Sequence, residues 1–169
     1  MYTLSETSLK MLKGVHPNLV NFMTELIKIS PWDFKITAGV RTAEEQNKLY
    51  QQGRTVKGIK VTKVDGYKQK SNHQVKYDGF GYATDIGVLV KEKVKVSVIE
   101  NGKKVEKVIE KNVYKGTWKD SHYYQDIYNT AKNAGLLEKY GIEWGGNCWR
   151  TFKDAPHGQI KGADKVAYK

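Results

Sequence analysis

Two histidines and two aspartates, sitting in two separated clusters, are the residues of this chain best equipped for chemistry. The first cluster is Ser71-Asn72-His73, followed after a short stretch by Gly81-Tyr82-Ala83-Thr84-Asp85. The second is Trp144-Gly145-Gly146 and then Asp154-Ala155-Pro156-His157. Two imidazoles and one carboxylate can hold a zinc ion and leave one position for water. Asp154, three residues before the last histidine, is a further carboxylate able to take a proton from that water. His73, Asp85 and His157 as ligands with Asp154 as base are the minimum equipment of a zinc hydrolase.

Other residues are weaker candidates. Arg41 falls where a strand runs into a helix, a rigid and exposed junction. A fixed guanidinium there can hold a substrate carboxylate or a developing oxyanion. Gln46, one turn into that helix, is placed to orient substrate or Arg41. Ser71, two residues before His73, can give a hydrogen bond to the ligand loop or to substrate. His16 precedes Pro17 at a helix entry and His122 lies in the first turn of another helix. Neither has a carboxylate in a matching frame, so both read as structural. The single cysteine, Cys148, excludes an internal disulfide and reads as a small buried side chain beside Trp149.

The elements that must position these groups follow from pattern. Ser8 to Lys28 reads as helical, with Leu19, Phe22, Met23, Leu26 and Ile27 at i, i+3, i+4 spacing. Pro17 suits a first helical turn and Ser30-Pro31 a terminus. Phe34 to Thr37 alternates as a strand. Thr42 with Glu45 forms a capping box, and Gly53 ends that helix. Residues 54–70 are loop, and 81–90 a strand carrying Asp85. In 91–115, Val94, Val96 and Val98 alternate with Lys95 and Ser97, Asn101-Gly102 is a two-residue turn, and valines return on the far side. This predicts a lysine-rich β-hairpin, either a solvated ribbon protected by its lysines or an arm that grips polyanions. Ser121 to Ala134 is a helix, capped by Asp120 or Ser121, ended at Gly135, and burying Ile127, Tyr128, Ala131 and Ala134. Short strands are expected at 142–144 and 157–160, and a basic tail at 163–169. Trp149 and Phe152 read as core or cleft wall.

Composition narrows the class. A chain of 169 residues with no repeat or linker fits one domain, 1–169. No run approaches the roughly 18 apolar residues of a membrane helix. The N-terminus lacks the pattern of a secretory signal. The net charge of +11 favours anionic partners without choosing among nucleic acid, wall polymers, outer-membrane polymers or membranes. No nucleic-acid motif is present.

The ordered motifs resemble the zinc peptidases of bacterial cell-wall metabolism, namely D,D-carboxypeptidases, vancomycin-resistance dipeptidases and phage L-alanyl-D-glutamate endopeptidases. The shared frame is Ser-x-His, then Gly-x-Ala-x-Asp, then Glu or Asp-x-x-His. The phage branch adds Thr37-Ala38-Gly39-Val40-Arg41-Thr42-Ala43-Glu44-Glu45-Gln46 and Glu143-Trp144-Gly145-Gly146, with Asp154-Ala155-Pro156-His157-Gly158-Gln159. Relative to that frame, Val75-Lys76-Tyr77-Asp78-Gly79 is an insert between two ligands. It offers Asp78 as a rival to Asp85, although the frame before Asp85 is intact.

The resemblance implies an α+β, hedgehog/D,D-peptidase-like fold, with a small antiparallel sheet, packed helices and the inserted hairpin. It implies Zn2+ and hydrolysis of a peptidoglycan stem-peptide bond, L-alanyl-D-glutamate before terminal D-alanine. A non-catalytic module for anionic polymers is the reading from another class. A phage lytic enzyme would wait in the host cytoplasm as a monomer, without a signal peptide or a separate wall-binding domain.

Overall fold

The computed structural model describes residues 1–148 and 154–169. The expected environments of Trp149 and Phe152, and of the Cys148 side chain, lie outside the described residues. Two helices open the chain, α1 (Glu6–Met11) and α2 (Pro17–Ile29). The single helix expected over 8–28 is therefore broken. Gly14 takes a left-handed φ of 77°, and the His16 ring nitrogen caps α2 by accepting from the Asn18 N–H at 3.2 Å. That capping role is structural, as the sequence implied. Leu19, Phe22, Met23, Leu26 and Ile27 form the buried face of α2. Each such side chain contributes about 1.5–3 kcal/mol by leaving water.

The sheet is antiparallel. Among the described residues its strands are β1 (Asp33–Ala38), β2 (Ala83–Glu100), β3 (Lys103–Lys115), β4 (Ile142–Trp144) and β5 (His157–Ile160). The order is β1-β2-β5-β4, with β3 also paired to β2. Phe34 and Ile36 lie opposite Val88 and Ile86, and all four are buried against the helices. Between β1 and β2 comes α3 (Ala43–Gln51), whose Thr42–Glu45 capping box is fully formed. After β3 come α4 (Ser121–Asn133), α5 (Leu136–Tyr140) and the single-turn α6 (Gly145–Cys148).

β2 is one uninterrupted strand of 18 residues. Its first part is core; its second part leaves the body and pairs with β3 from Val88↔Lys115 to Glu100↔Lys103. Asn101 (φ 51°) and Gly102 (φ 77°) make the reversal, both in the left-handed region that a type I′ turn demands. The register places Val94, Val96 and Val98 with Val105 and Ile109 on one face, and Lys91, Lys93 and Lys95 on the other.

Two details of α4 differ from expectation. Asp120 makes no side-chain cap; it accepts instead from the Thr117 N–H and hydroxyl. Ala134 is exposed, and Tyr124 joins Ile127 and Ala131 in the core. The helix stops before Ala134 because Gly135 turns left-handed at φ 70°. The segment expected as a basic tail is ordered: Ala163–Lys165 forms a 3-10 turn, and Tyr168 bridges to Lys76.

Candidate metal centre

Asp85 and His157 face each other across the β2–β5 ladder, so they share one face of the sheet. His73 arrives from the loop before β2. Its placement depends on Gly39, where a Cβ would lie 1.9 Å from the Met11 carbonyl oxygen. Only glycine lets the chain pass there and aim its carbonyl at His73. The His73 Nδ1–H donates to that carbonyl at 2.7 Å. A carbonyl only accepts, so the proton is on Nδ1 and Nε2 faces the site.

Nε2 of His73 is 3.4 Å, and Nδ1 of His157 2.9 Å, from Oδ1 of Asp85. One donor atom from each of the three residues lies within 4.8 Å of the others. His73 is 2% and His157 7% exposed. Two nitrogens and a carboxylate oxygen suit a divalent transition metal, and three converging donors leave room for a fourth ligand. Asp78, the rival carboxylate, is engaged elsewhere: it accepts from the Tyr82 hydroxyl at 2.7 Å and the Phe80 N–H at 3.2 Å. Asp85 is the residue in the cluster.

His157 is fixed from behind by a residue with no role expected from pattern or motif. Gln159 donates its amide N–H to Oε2 of Glu143 at 3.2 Å. A carboxylate only accepts, so the Gln159 oxygen must point the other way. It faces Nε2 of His157 at 3.1 Å and accepts from the Asn72 amide at 3.0 Å. Nε2 of His157 therefore carries a proton, and Nδ1, which faces Asp85, is the nitrogen that would turn to a cation. The i, i+2 spacing of His157 and Gln159 on a strand was the available signal, since such residues share a face.

Arg41 lies against the same centre. Its guanidinium meets Oδ2 of Asp85 at 2.6 Å and Oε1 of Gln46 at 3.4 Å. Gln46 is 1% exposed, and its amide donates to Thr62 Oγ1 and the Val64 carbonyl, each at 3.1 Å. It holds Arg41 from behind rather than facing the cleft. Ser71 accepts from the His73 N–H at 3.3 Å, which stiffens the loop carrying that ligand. His122 is exposed and lies outside the centre.

The electrostatics follow from burial and these contacts. Burial alone would raise the Asp85 carboxyl, but the charges and hydrogen bonds of His73 and His157 outweigh it and hold Asp85 well below the usual range. Burial lowers His73. Burial would lower His157 too, but Asp85, Asp154 and Gln159 turn the balance upward. Asp154 is raised, first by burial and then by the nearby charge of Asp85. A raised carboxyl beside a cluster of donors has the character of a group that exchanges protons. The Trp144 indole N–H donates to the Ala155 carbonyl at 2.7 Å, and the Pro156 carbonyl accepts from Ile86 at 3.0 Å. These bonds tie the Asp154–His157 segment to the sheet.

The cluster opens into a cleft of about 590 Å³ whose walls include Thr62, Val64, Ser71, Tyr114, Asp154 and Pro156. Tyr114 comes from β3, so the base of the ribbon forms one wall.

Comparison with known proteins agrees with this geometry. The family model described as phage L-alanyl-D-glutamate peptidase matches residues 1–117. The peptidoglycan L-alanyl-D-glutamate endopeptidase CwlK of Bacillus subtilis (strain 168) is 32% identical over 125 residues, covering 74% of this chain. The match spans 59% of CwlK's own length. The solved structure of the Serratia marcescens L-Ala D-Glu endopeptidase ChiX has a TM-score of 0.59 at 23% identity, covering 97% of this chain and 94% of that one. At that identity the likeness speaks to the fold.

Proposed function

Because this chain belongs to the phage L-alanyl-D-glutamate peptidase family, we propose that it hydrolyses the L-alanyl-D-glutamate bond of peptidoglycan stem peptides. His73, Asp85 and His157 hold a Zn2+ ion. The observation that carries the reading is their convergence beside Asp154 at the floor of an open cleft. The fold reading that goes with it is the hedgehog/D,D-peptidase type, acting as one catalytic domain.

The bound ion would supply Lewis acidity and lower the pKa of water from about 15.7 towards about 7. The chain's own residues do the rest. Asp154 accepts a proton as the scissile carbonyl is attacked and returns it to the leaving amine. Its raised pKa suits both directions of transfer. Arg41 anchors Asp85 through Oδ2, leaving Oδ1 for the centre. The remaining guanidinium N–H groups serve a substrate carboxylate or the oxyanion, and D-glutamate supplies such a carboxylate. Gln46 fixes Arg41, and Ser71 fixes the His73 loop.

The ribbon supports a second part of the reading. Residues 91–115 carry eight lysines against four glutamates, and Lys91, Lys93 and Lys95 are exposed in a row. Such a row suits anionic wall or outer-membrane polymers. No described helix is long and apolar enough to cross a membrane.

The test is digestion of purified peptidoglycan by zinc-loaded protein, with new termini identified by mass spectrometry. New N-terminal D-glutamate, lost on chelation and restored by zinc, is the expected product. Release of D-alanine would move the chain to the carboxypeptidase branch. Absence of any metal-dependent product would refute the enzymatic reading.

A further inference from the structure

Lys76 is fully buried, an unusual fate for a lysine. It lies in the insert between His73 and Asp85, and its ammonium is well partnered. Nζ donates to Oδ1 of Asn72 at 2.8 Å and to the Ala163 carbonyl at 3.1 Å. The ring of Tyr168 lies over it, with Nζ 3.4 Å from the ring centroid. The Tyr168 hydroxyl donates to the same Asn72 oxygen at 3.1 Å. One backbone and one side-chain hydrogen bond hold the C-terminal segment in place: Tyr77 N–H donates to the Ala167 carbonyl at 2.9 Å, and Lys70 Nζ to the Lys169 carbonyl at 2.9 Å.

These contacts have a direction. An ammonium only donates, so it fixes the Asn72 oxygen towards Lys76. The Asn72 amide N–H groups must then face away, and they donate to Oδ1 of Asp164 at 2.7 Å and to Oε1 of Gln159 at 3.0 Å. Gln159 is the residue that sets the His157 proton on Nε2. Donor-only Lys76 at one end and acceptor-only Glu143 at the other leave the amides between them a single orientation. Burial pulls the Lys76 ammonium down to about 8, against the pull of Asp164 and Asp78. It therefore still carries its charge at neutral pH.

We propose that Lys76, clamped by Tyr168 of the C-terminal segment, is a positioning residue for the metal centre, acting through Asn72 and Gln159 to hold His157 with Nδ1 towards the ion. The insert and the C-terminal segment thereby become one brace behind a ligand. The proposal rests on the metal reading above.

The test separates a brace from mere packing. Lys76→Met strips the Asn72 oxygen and the Ala163 carbonyl of a donor, so its unfolding midpoint should fall, and metal affinity is compared on folded protein well below that midpoint. If the brace acts on His157, the same variant should bind Zn2+ and Co2+ about 3- to 10-fold more weakly, somewhat less than the about 10–100-fold cost of losing a direct partner of a ligand. It should also lose kcat with KM unchanged, and Lys76→Gln, which retains an N–H donor, should recover part of both losses. A folded Lys76→Met protein whose metal affinity stays within about twofold of the parent overturns the brace. If Lys76→Met does not fold, Tyr168→Phe decides. It keeps the ring over Lys76 and removes the hydroxyl that reaches Asn72 Oδ1 and the Lys70 carbonyl, and weaker metal binding supports the brace while unchanged binding overturns it. A parent protein that binds neither ion refutes the metal reading itself, and the brace with it.

Discussion

Asp154→Asn separates catalysis from stability more sharply than any other single change. The substitution keeps shape and removes the group proposed to move the proton. A positioned general base contributes about 10²- to 10⁴-fold in rate, or about 3–5 kcal/mol of barrier, so kcat on a stem-peptide substrate should fall by that much. Zinc affinity should stay within about threefold, because Asp154 donates no atom to the cluster. Stability should move the other way. Asp154 is held above its ordinary pKa by burial and by Asp85, so the folded protein keeps a proton that the unfolded chain has already released. Stability therefore falls as pH rises from the ordinary carboxylate value through the raised one, and beyond it the ionised group is a standing cost. The asparagine variant lacks this cost. Its metal-free form should unfold at an equal or higher temperature at neutral pH, and the gap should close in acid. The comparison belongs on metal-free protein, since a bound cation would itself pull Asp154 down. Retained turnover would remove Asp154 from the mechanism. Lost turnover with a lower midpoint at neutral pH would refute the electrostatic account and make Asp154 a structural residue.

Three further outcomes are expected. Gln159→Met strips Nε2 of His157 and the Asn72 amide of their acceptor, each a loss of about 1–3 kcal/mol if unsatisfied; zinc affinity, read by chelator competition, should fall about 10–100-fold. Gly87→Ala puts a Cβ 2.6 Å from the Tyr114 ring and 2.7 Å from Thr37 Cγ2. Displacing Tyr114 from the cleft wall should cost about 1–3 kcal/mol in urea unfolding and raise KM. Replacing Lys91, Lys93 and Lys95 together by glutamine should leave hydrolysis of a short soluble stem peptide unchanged. It should weaken co-sedimentation with cell walls at low salt, and a difference that survives high salt would argue against simple charge attraction.

What was legible in the sequence is what short-range chemistry controls. The Thr42–Glu45 capping box, the Asn101-Gly102 turn and the apolar stripe of α2 were readable because each is decided by residues within a few positions of one another. The convergence of His73, Asp85 and His157 was readable because groups able to hold a metal are of few types. The break between α1 and α2 was missed because apolar periodicity runs through it, while Gly14 and a histidine cap decide otherwise. The roles of Lys76, Asn72 and Gln159 were missed for a different reason. Each looks like an ordinary polar residue until the fold brings 72, 76, 159 and 168 together, and lysine in particular carries a strong expectation of exposure.

The length of β2 has a mechanical consequence that neither half of the strand has alone. Asp85 sits near its start and the ribbon is its continuation, so ligand and arm are joined by an unbroken backbone rather than by a hinge. β1 pairs only as far as Leu89, and β5 only with Ala83–Asp85. Past that point the ribbon is held by β3 and by the Tyr124 hydroxyl, which donates to the Lys115 carbonyl at 2.6 Å. Tyr114, opposite Leu89, stands at this junction and also walls the cleft. A polymer bound along Lys91, Lys93 and Lys95 would therefore be held at a fixed orientation to the metal centre. A flexible tether would raise local concentration alone; under the proposed function, a rigid arm would also select which stem peptides along a strand reach His73, Asp85 and His157.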